Sequence, residues 1–315
     1  MHKRDMGEVY AVILAGGAGK RLKPLSTDKR PKAFLSVTRD RDTMFARTLK
    51  IVRSIVPGGN ILVAVNKKHA ALVKKDFPKI SNVNLIREPI SRNTAPAITA
   101  AALALVKIDP AAIMVVMAAD QYITDYREYV DAICRGIDFV KANTAAIVTL
   151  GVRPDLPSTE FGYIKICNAP SLRKPSSSRR SSTRFFSGGY DVFKAEKFVE
   201  KPDLRLAKKY LESGGYLWNT GPFIFTAGTI LEAMEKHAPA VTRAFKKAGP
   251  LMKIYNKTPD LSIDHAVMEK SKNVYCVKGD YRWQDMGSFE SLKAILKREA
   301  RKYIEEDGRI TRILP

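Results

Sequence analysis

Short apolar runs alternate along the first half of the chain with longer stretches whose apolar positions recur every three or four residues. The runs VYAVILA (9–15), NILVAV (60–65), NVNLI (82–86) and AIMVVMA (112–118) have almost no polar alternation. That pattern predicts strands buried on both faces. Between them lie TMFARTLKIVRSIV (43–56), KKHAALVKKDF (67–77) and TAPAITAAALALVKI (94–108), each with an apolar helical face, and Asn93 or Thr94 is placed to cap the last. Strand and helix in alternation predict a mostly parallel sheet flanked by helices, an α/β fold. Such sheets bind ligands at the carboxyl ends of their strands.

After residue 150 the order changes. FGYIKI (161–166), AEKFVEKP (195–202), LWNTGPFIFTA (217–227) and NVYCV (273–277) read as further strands, and SIDHAVMEK (262–270) as helical with Ser262 as cap. This half is expected to form a mixed sheet packed on the first, across a shared cleft. The division expected is a nucleotide half at about 1–150, a second-substrate half at about 151–290, and a helical tail over 291–315. The segment 173–189, rich in Ser, Arg and Gly, breaks the pattern and reads as a solvated loop.

Composition narrows the class. No apolar run reaches the 18 or so residues of a membrane span, and the opening run is too short for a secretion signal. Three scattered cysteines, Cys134, Cys167 and Cys276, imply free thiols and a reducing cytoplasm, and four dispersed histidines give no zinc pattern. The formal net charge of +22 raises nucleic-acid binding, but the cations are spread along the chain and no binding motif accompanies them, so it is not expected as the main role. No membrane partner is expected.

The chemistry concentrates in VILAGGAGKRLKPLSTDKRPKAFL (12–35), where a strand runs into Gly16, Gly17 and Gly19. Glycines there let backbone amides approach a phosphate closely. The stretch lacks the closing GK[ST] of a Walker loop and the third glycine of a dinucleotide fingerprint. Arg21 and Lys32 are candidates to neutralise the phosphates of a nucleotide.

This stretch resembles the opening motif of the sugar-1-phosphate nucleotidyltransferases. EPISRNTAPAITAAAL (88–103) resembles, within them, the mannose-1-phosphate guanylyltransferases, and MAADQYI, FGYIKI, FVEKP, WNTGPFIF, SIDHAVMEK and WQDMGS follow in that family's order, over about residues 8–290. The resemblance implies a Rossmann-like mixed sheet, the nucleotide-diphospho-sugar transferase fold, in one catalytic domain over 1–290. It implies GTP and mannose 1-phosphate as substrates, GDP-mannose and pyrophosphate as products, and Mg²⁺ or another divalent metal held by Asp120 and Asp285. Arg21, Lys32 and Lys201 are the implied catalytic cations. Leu14, Ala15, Gly16, Gly17, Gly19, Glu88, Arg92, Asn93 and Thr94 would bind the nucleotide, with Glu88 accepting from guanine N1–H and N2–H₂. Gly162, Tyr163, Glu200, Lys201 and Asn219 would bind the sugar phosphate, and Trp218 reads as core.

Two positions depart from the family pattern: Gln121 stands where histidine is frequent, and Lys20 where threonine is. The alternatives are another base or hexose phosphate, or a non-catalytic relative. With so little chain after 290, a fused isomerase is not expected, nor a dimer through a C-terminal β-helical tail, while a homodimer stays open. Replacing 173–189 by a short Gly-Ser turn should leave kcat and both KM values within about twofold, since surface-loop length costs little. Steady-state kinetics at low and high salt check this, and a loss that persists at high salt would show that the loop closes over substrate.

Overall fold

The computed structural model describes residues 7–17, 19–167, 192–247, 249–307 and 309–314, so the expected loop 173–189 lies outside the described residues. Along the chain run β1 (Val9–Leu14), α1 (Met44–Arg53), β2 (Ile61–Asn66), α2 (Ala70–Asp76), β3 (Leu85–Glu88), α3 (Thr94–Leu105), β4 (Ile113–Ala118), β5 (Gln121–Ile123) and α4 (Tyr126–Ala142). Then come β6 (Ile147–Val152), β7 (Tyr163–Ile166), β8 (Val192–Val199), α5 (Leu204–Ser213), β9 (Tyr216–Thr226), α6 (Ala227–His237), α7 (Pro239–Lys246) and α8 (Leu251–Lys257). A π-helical turn (Asp264–Met268), β10 (Val274–Lys278), β11 (Trp283–Asp285), α9 (Phe289–Arg298), β12 (Tyr303–Glu306) and β13 (Arg309–Ile313) complete it.

The main sheet has the order β3-β2-β1-β4-β9-β6-β10-β8-β7. Its first four strands are parallel, as continuous apolar runs require, and β1 lies in the middle of them, between β2 and β4. The expectation of a second sheet packed on the first is corrected here. β9 inserts antiparallel between β4 and β6, so both halves share one sheet. The reason lies in β9 itself: Phe223, Ile224 and Phe225 are all buried, so this strand is covered on both faces and suits a central position.

Strand β3 begins at Leu85, three residues later than the apolar run suggested. The Asn84 amide donates to the carbonyls of Gly59 and Ile61 and Leu85 N–H donates to Asn82, which holds 82–84 in a turn. α3 is capped by Asn93, whose side chain accepts from Thr94 N–H. The tail expected to be helical is helical only through α9 and then folds back as the β12–β13 hairpin. The cause is a third apolar cluster: Leu292, Ile295, Leu296 and Ile310 pack on Leu22, Leu35, Met44, Tyr122 and Met286. Cys134 and Cys167 are partly buried and Cys276 is buried, all as free thiols. Trp218 is buried, as expected. Among the described residues no helix is long and apolar enough to cross a membrane.

One polar tie locks this C-terminal unit to the strands around the cleft. Glu299 accepts from the Tyr122 hydroxyl at 2.5 Å and from Arg39 N–H at 3.0 Å, while Arg39 Nε donates to the Glu299 carbonyl at 2.7 Å. Tyr122 is almost fully buried, so removing its hydroxyl leaves a carboxylate oxygen short of a partner. Tyr122→Phe should therefore lower unfolding stability by about 1–3 kcal/mol, measured by urea denaturation, whereas an unchanged midpoint would show that the bond is idle.

Candidate active site

The carboxyl ends of β1, β2, β3 and β4 converge on the glycine stretch. Ala15 N–H donates to Ala64 across from β1, and Ala119 N–H donates to Leu14, so the chain leaves the sheet with its neighbours still attached. Leu14, Ala15, Gly17, Gly19, Arg21, Lys32, Asp120 and Gly287 line a cavity of about 220 Å³. Glycine is required at two of these turns. A Cβ on Gly16 would lie 2.6 Å from Glu88 Oε2, and one on Gly19, whose φ is +59°, would lie 2.6 Å from Lys32 Cβ. A side chain at Gly16 would displace the Glu88 carboxyl, and one at Gly19 would press on Lys32 from a strained backbone.

Lys32 sits at the back of this cavity, only 8% exposed. Its Nζ is 2.9 Å from Asp120 Oδ2 and 3.6 Å from Asp285 Oδ1. Burial works against the ammonium, but the two carboxylates outweigh it and hold the pKa above the ordinary lysine value. Burial raises the Asp285 carboxyl, a rise that Lys32 opposes and Asp120 reinforces. The two aspartates come together because β5 and β11 form an antiparallel ribbon in which Asp285 faces Gln121, the residue after Asp120. Within the ribbon Tyr122 turns to Glu299, and Gln121 Nε2 donates to the Thr220 carbonyl at 2.5 Å, so both faces of the ribbon are tied. At the rim, Arg21 pairs with Glu160 at 2.5 Å, with both side chains more than half exposed.

Glu88 ends β3 and is 4% exposed. Burial pushes its carboxyl up to about 7, partly offset by the Tyr255 hydroxyl, which donates to Oε1 at 3.2 Å. The neighbouring candidates take structural parts. Arg92 Nε donates to the Tyr255 carbonyl at 3.1 Å, Asn93 caps α3 with φ +66°, and Thr94 Oγ1 accepts from Ile263 N–H at 2.8 Å.

The second group of candidates lies where β7 pairs with β8 on one side and β9 on the other. Glu200 follows β8 and bonds the Nζ of Lys201, whose φ is +47°. Gly162 allows this approach, since a Cβ there would lie 2.7 Å from Glu200 Oε2. Asn219 N–H donates to the Gly162 carbonyl, and its side-chain Oδ1 accepts from Thr149 Oγ1 at 2.8 Å and Gly221 N–H at 3.1 Å. The Asn219 amide nitrogen is thereby turned towards Asp264 Oδ1, 3.5 Å away. Asp264 is pushed up to about 7 by burial and by the charge of Glu200, with Lys201 opposing. Tyr163 departs from its expected place in the sugar pocket. Its ring is fully buried against Tyr210 and Trp218, and its hydroxyl accepts from Ser158 N–H at 3.0 Å. The strand is covered on both faces here, with Tyr163 in one apolar cluster and Ile164 in another, so the ring meets core on its own face despite its proximity to Gly162.

The structure thus gathers Gly16, Gly17, Gly19, Lys32, Asp120, Asp285 and Glu88 at one set of strand ends, and Gly162, Glu200, Lys201 and Asn219 at another. The sequence reading missed Tyr255, Asp264 and Glu160. Asp264 carried a signal, as the aspartate in SIDHAVMEK, whereas Tyr255 stands in a helix with no motif around it.

Residues 10–302 match the family described as Nucleotidyl transferase. Mannose-1-phosphate guanylyltransferase of Escherichia coli K12 is 34% identical over 300 residues, which is 90% of this chain and 59% of that protein. The alginate biosynthesis protein AlgA of Pseudomonas fluorescens is 34% identical, over 90% of this chain and 57% of its own length. The chain therefore spans somewhat under two thirds of these curated relatives. A Thermus thermophilus crystal structure described as a mannose-1-phosphate geranyltransferase superposes with a TM-score of 0.77 at 32% identity, covering 91% of this chain and 79% of that one. With the matched region running across the glycine stretch, the Lys32 cluster and the β5–β11 ribbon, this chain belongs to the nucleotidyl transferase family.

Proposed function

We propose that the chain transfers GMP from GTP to mannose 1-phosphate, giving GDP-mannose and pyrophosphate. The observation that carries the reading is Lys32, a buried ammonium shared by Asp120 and Asp285 at the mouth of the glycine stretch. The relatives' names support the choice of sugar and base. In this reading an oxygen of the sugar phosphate attacks the α-phosphorus of GTP in line, and the bond to the β,γ-pyrophosphate breaks. The acceptor is already an anion, so no covalent enzyme intermediate is required.

Each chain group has a part in that step. An ammonium has three N–H donors, and the two aspartates take at most two, so Lys32 keeps one for phosphate oxygen in the cavity it lines. Arg21 exchanges Glu160 for the leaving pyrophosphate, and an exposed pair of this kind gives up only about 0–1 kcal/mol. Lys201 likewise leaves Glu200 for the sugar's phosphate, freeing that carboxylate for sugar hydroxyls. Glu88 accepts from the guanine donor pair.

A divalent metal fits the donor set in part. Two carboxylates already converge on one cation, which suits Mg²⁺ completed by phosphate oxygens and water. Among the described residues no group of three His, Cys, Asp or Glu stands ready to hold a metal alone. Asp120 and Asp285 would hold the ion, and when bound it supplies charge neutralisation on the phosphates. The cytoplasm is the compartment we propose.

A pyrophosphate-release assay over four nucleoside triphosphates and several hexose 1-phosphates should show GTP with mannose 1-phosphate as the preferred pair. Preference for another pair would retain the chemistry and reject the substrates. Asp120→Asn and Asp285→Asn should each remove most turnover, and the double variant should be little worse, because groups acting as one unit are non-additive. Near-normal activity in either single variant at saturating Mg²⁺ would exclude that carboxylate. Glu88→Gln should lower kcat/KM for GTP by about 5- to 150-fold, since a buried acceptor mismatched to its donors costs about 1–3 kcal/mol.

A further inference from the structure

Glu88 is held on one side by a hydrogen bond and faces a glycine on the other. Its Oε1 accepts from the Tyr255 hydroxyl at 3.2 Å, and its Oε2 lies against Gly16, where a Cβ would come within 2.6 Å. Tyr255 is itself fixed. Its ring is fully buried and packs edge-on against Phe245 at 5.9 Å, and Arg92 Nε holds its carbonyl from the start of α3. One oxygen of the carboxyl is therefore anchored by a residue 167 positions away in the sequence.

We infer that Tyr255 is a positioning residue for base recognition: it aims the Glu88 carboxylate at the base and keeps it able to accept. The inference rests on the reading that Glu88 binds guanine. The electrostatic surroundings make the hydroxyl matter. Arg87 points away and bonds Asn82, the Arg92 guanidinium is turned to the Tyr255 carbonyl, and Lys67 and Lys68 lie exposed beyond Asn66, the partner of Glu88 on β2. Among the described residues Tyr255 is thus the titratable group that faces Glu88, and its donor favours the ionised form against burial.

Guanine N1–H and N2–H₂ are donors, so they need the carboxylate and not the acid. Burial raises the carboxyl pKa to about 7, so affinity for GTP weakens as pH falls through that value and a proton is released when GTP binds below it. Without the Tyr255 hydroxyl the acid form is favoured further, and the fall in affinity begins at higher pH.

Tyr255→Phe keeps the ring and its packing and removes only the donor. The variant should keep kcat within about twofold and raise KM for GTP about tenfold at pH 6.5, as for the loss of a hydrogen bond to a charged group. The deficit should narrow at pH 8.5, where Glu88 is ionised in both proteins, and the ratio of variant to wild type cancels the titration of the triphosphate itself. Calorimetry of GTP binding at pH 7.5 in buffers of different ionisation heat should show more protons released by Tyr255→Phe than by wild type. A wild-type KM at every pH, or a loss equal at all pH values with kcat falling in step, would overturn the inference. Glu88→Gln run alongside separates the two layers. If it leaves the preference for GTP over ATP unchanged, the reading of Glu88 falls and takes the inference with it. If it relaxes that preference while Tyr255→Phe behaves as wild type, the reading stands and the inference alone fails.

Discussion

The active cleft depends on one charge cluster, a buried lysine between two half-buried aspartates. Lys32 belongs to a short helical turn after the glycine stretch, Asp120 follows β4, and Asp285 closes β11. These segments are far apart in sequence, and the ammonium joins them at 2.9 and 3.6 Å. Taking any one of these charges out of water is costly, and only the mutual attraction offsets it. The cluster therefore exists only when all three segments are in register. The β5–β11 ribbon, the Tyr122–Glu299–Arg39 tie and the apolar cluster beneath α9 serve this register.

Two other carboxyls, the buried Glu88 and the half-buried Asp264, lack a comparable cation, and both stand where a substrate is proposed to bind. Glu88 and Asp264 are each pushed up to about 7, chiefly by burial. Unpaired acids of this kind work against folding above the pKa of a free carboxyl, where the unfolded chain would ionise them. Close by, Asn93 and Lys201 hold left-handed backbone at φ +66° and +47°, a conformation that disfavours residues with a side chain. Arg41, Ala300 and Asp307 share that backbone region away from the cleft, so it is desolvated carboxyls, rather than strain, that collect at its two ends. In the proposed reaction, guanine donors meet Glu88, and sugar hydroxyls meet the Glu200–Asp264 side.

The part of this arrangement legible in the sequence was the part written locally. Continuous apolar runs marked β1, β2 and β4 as buried parallel strands, and loops at the ends of such strands must converge, which brought the glycine stretch, Asp120 and Glu88 together. What stayed hidden depends on packing at long range. The triplets of β5 and β11 are too short to announce a ribbon, and nothing in the apolar run of β9 says that it enters antiparallel between β4 and β6. Tyr163 stood beside the expected pocket in sequence yet packs in the core, because β7 is covered on both faces at that point. Tyr255 could not be found at all, since its partner lies in another element and its own helix is unremarkable in composition.

The central claim is that Lys32, Asp120 and Asp285 form one unit. A double-mutant cycle on unfolding free energy, with Lys32→Met, Asp285→Asn and the pair together in metal-free buffer, tests it directly. Lys32→Met alone strands two carboxylates side by side and should destabilise most. Adding Asp285→Asn should recover part of that loss, giving a coupling of about 1–3 kcal/mol. Losses that add within about 0.5 kcal/mol would mean that the lysine and the aspartate do not interact, and would contradict this account of the site.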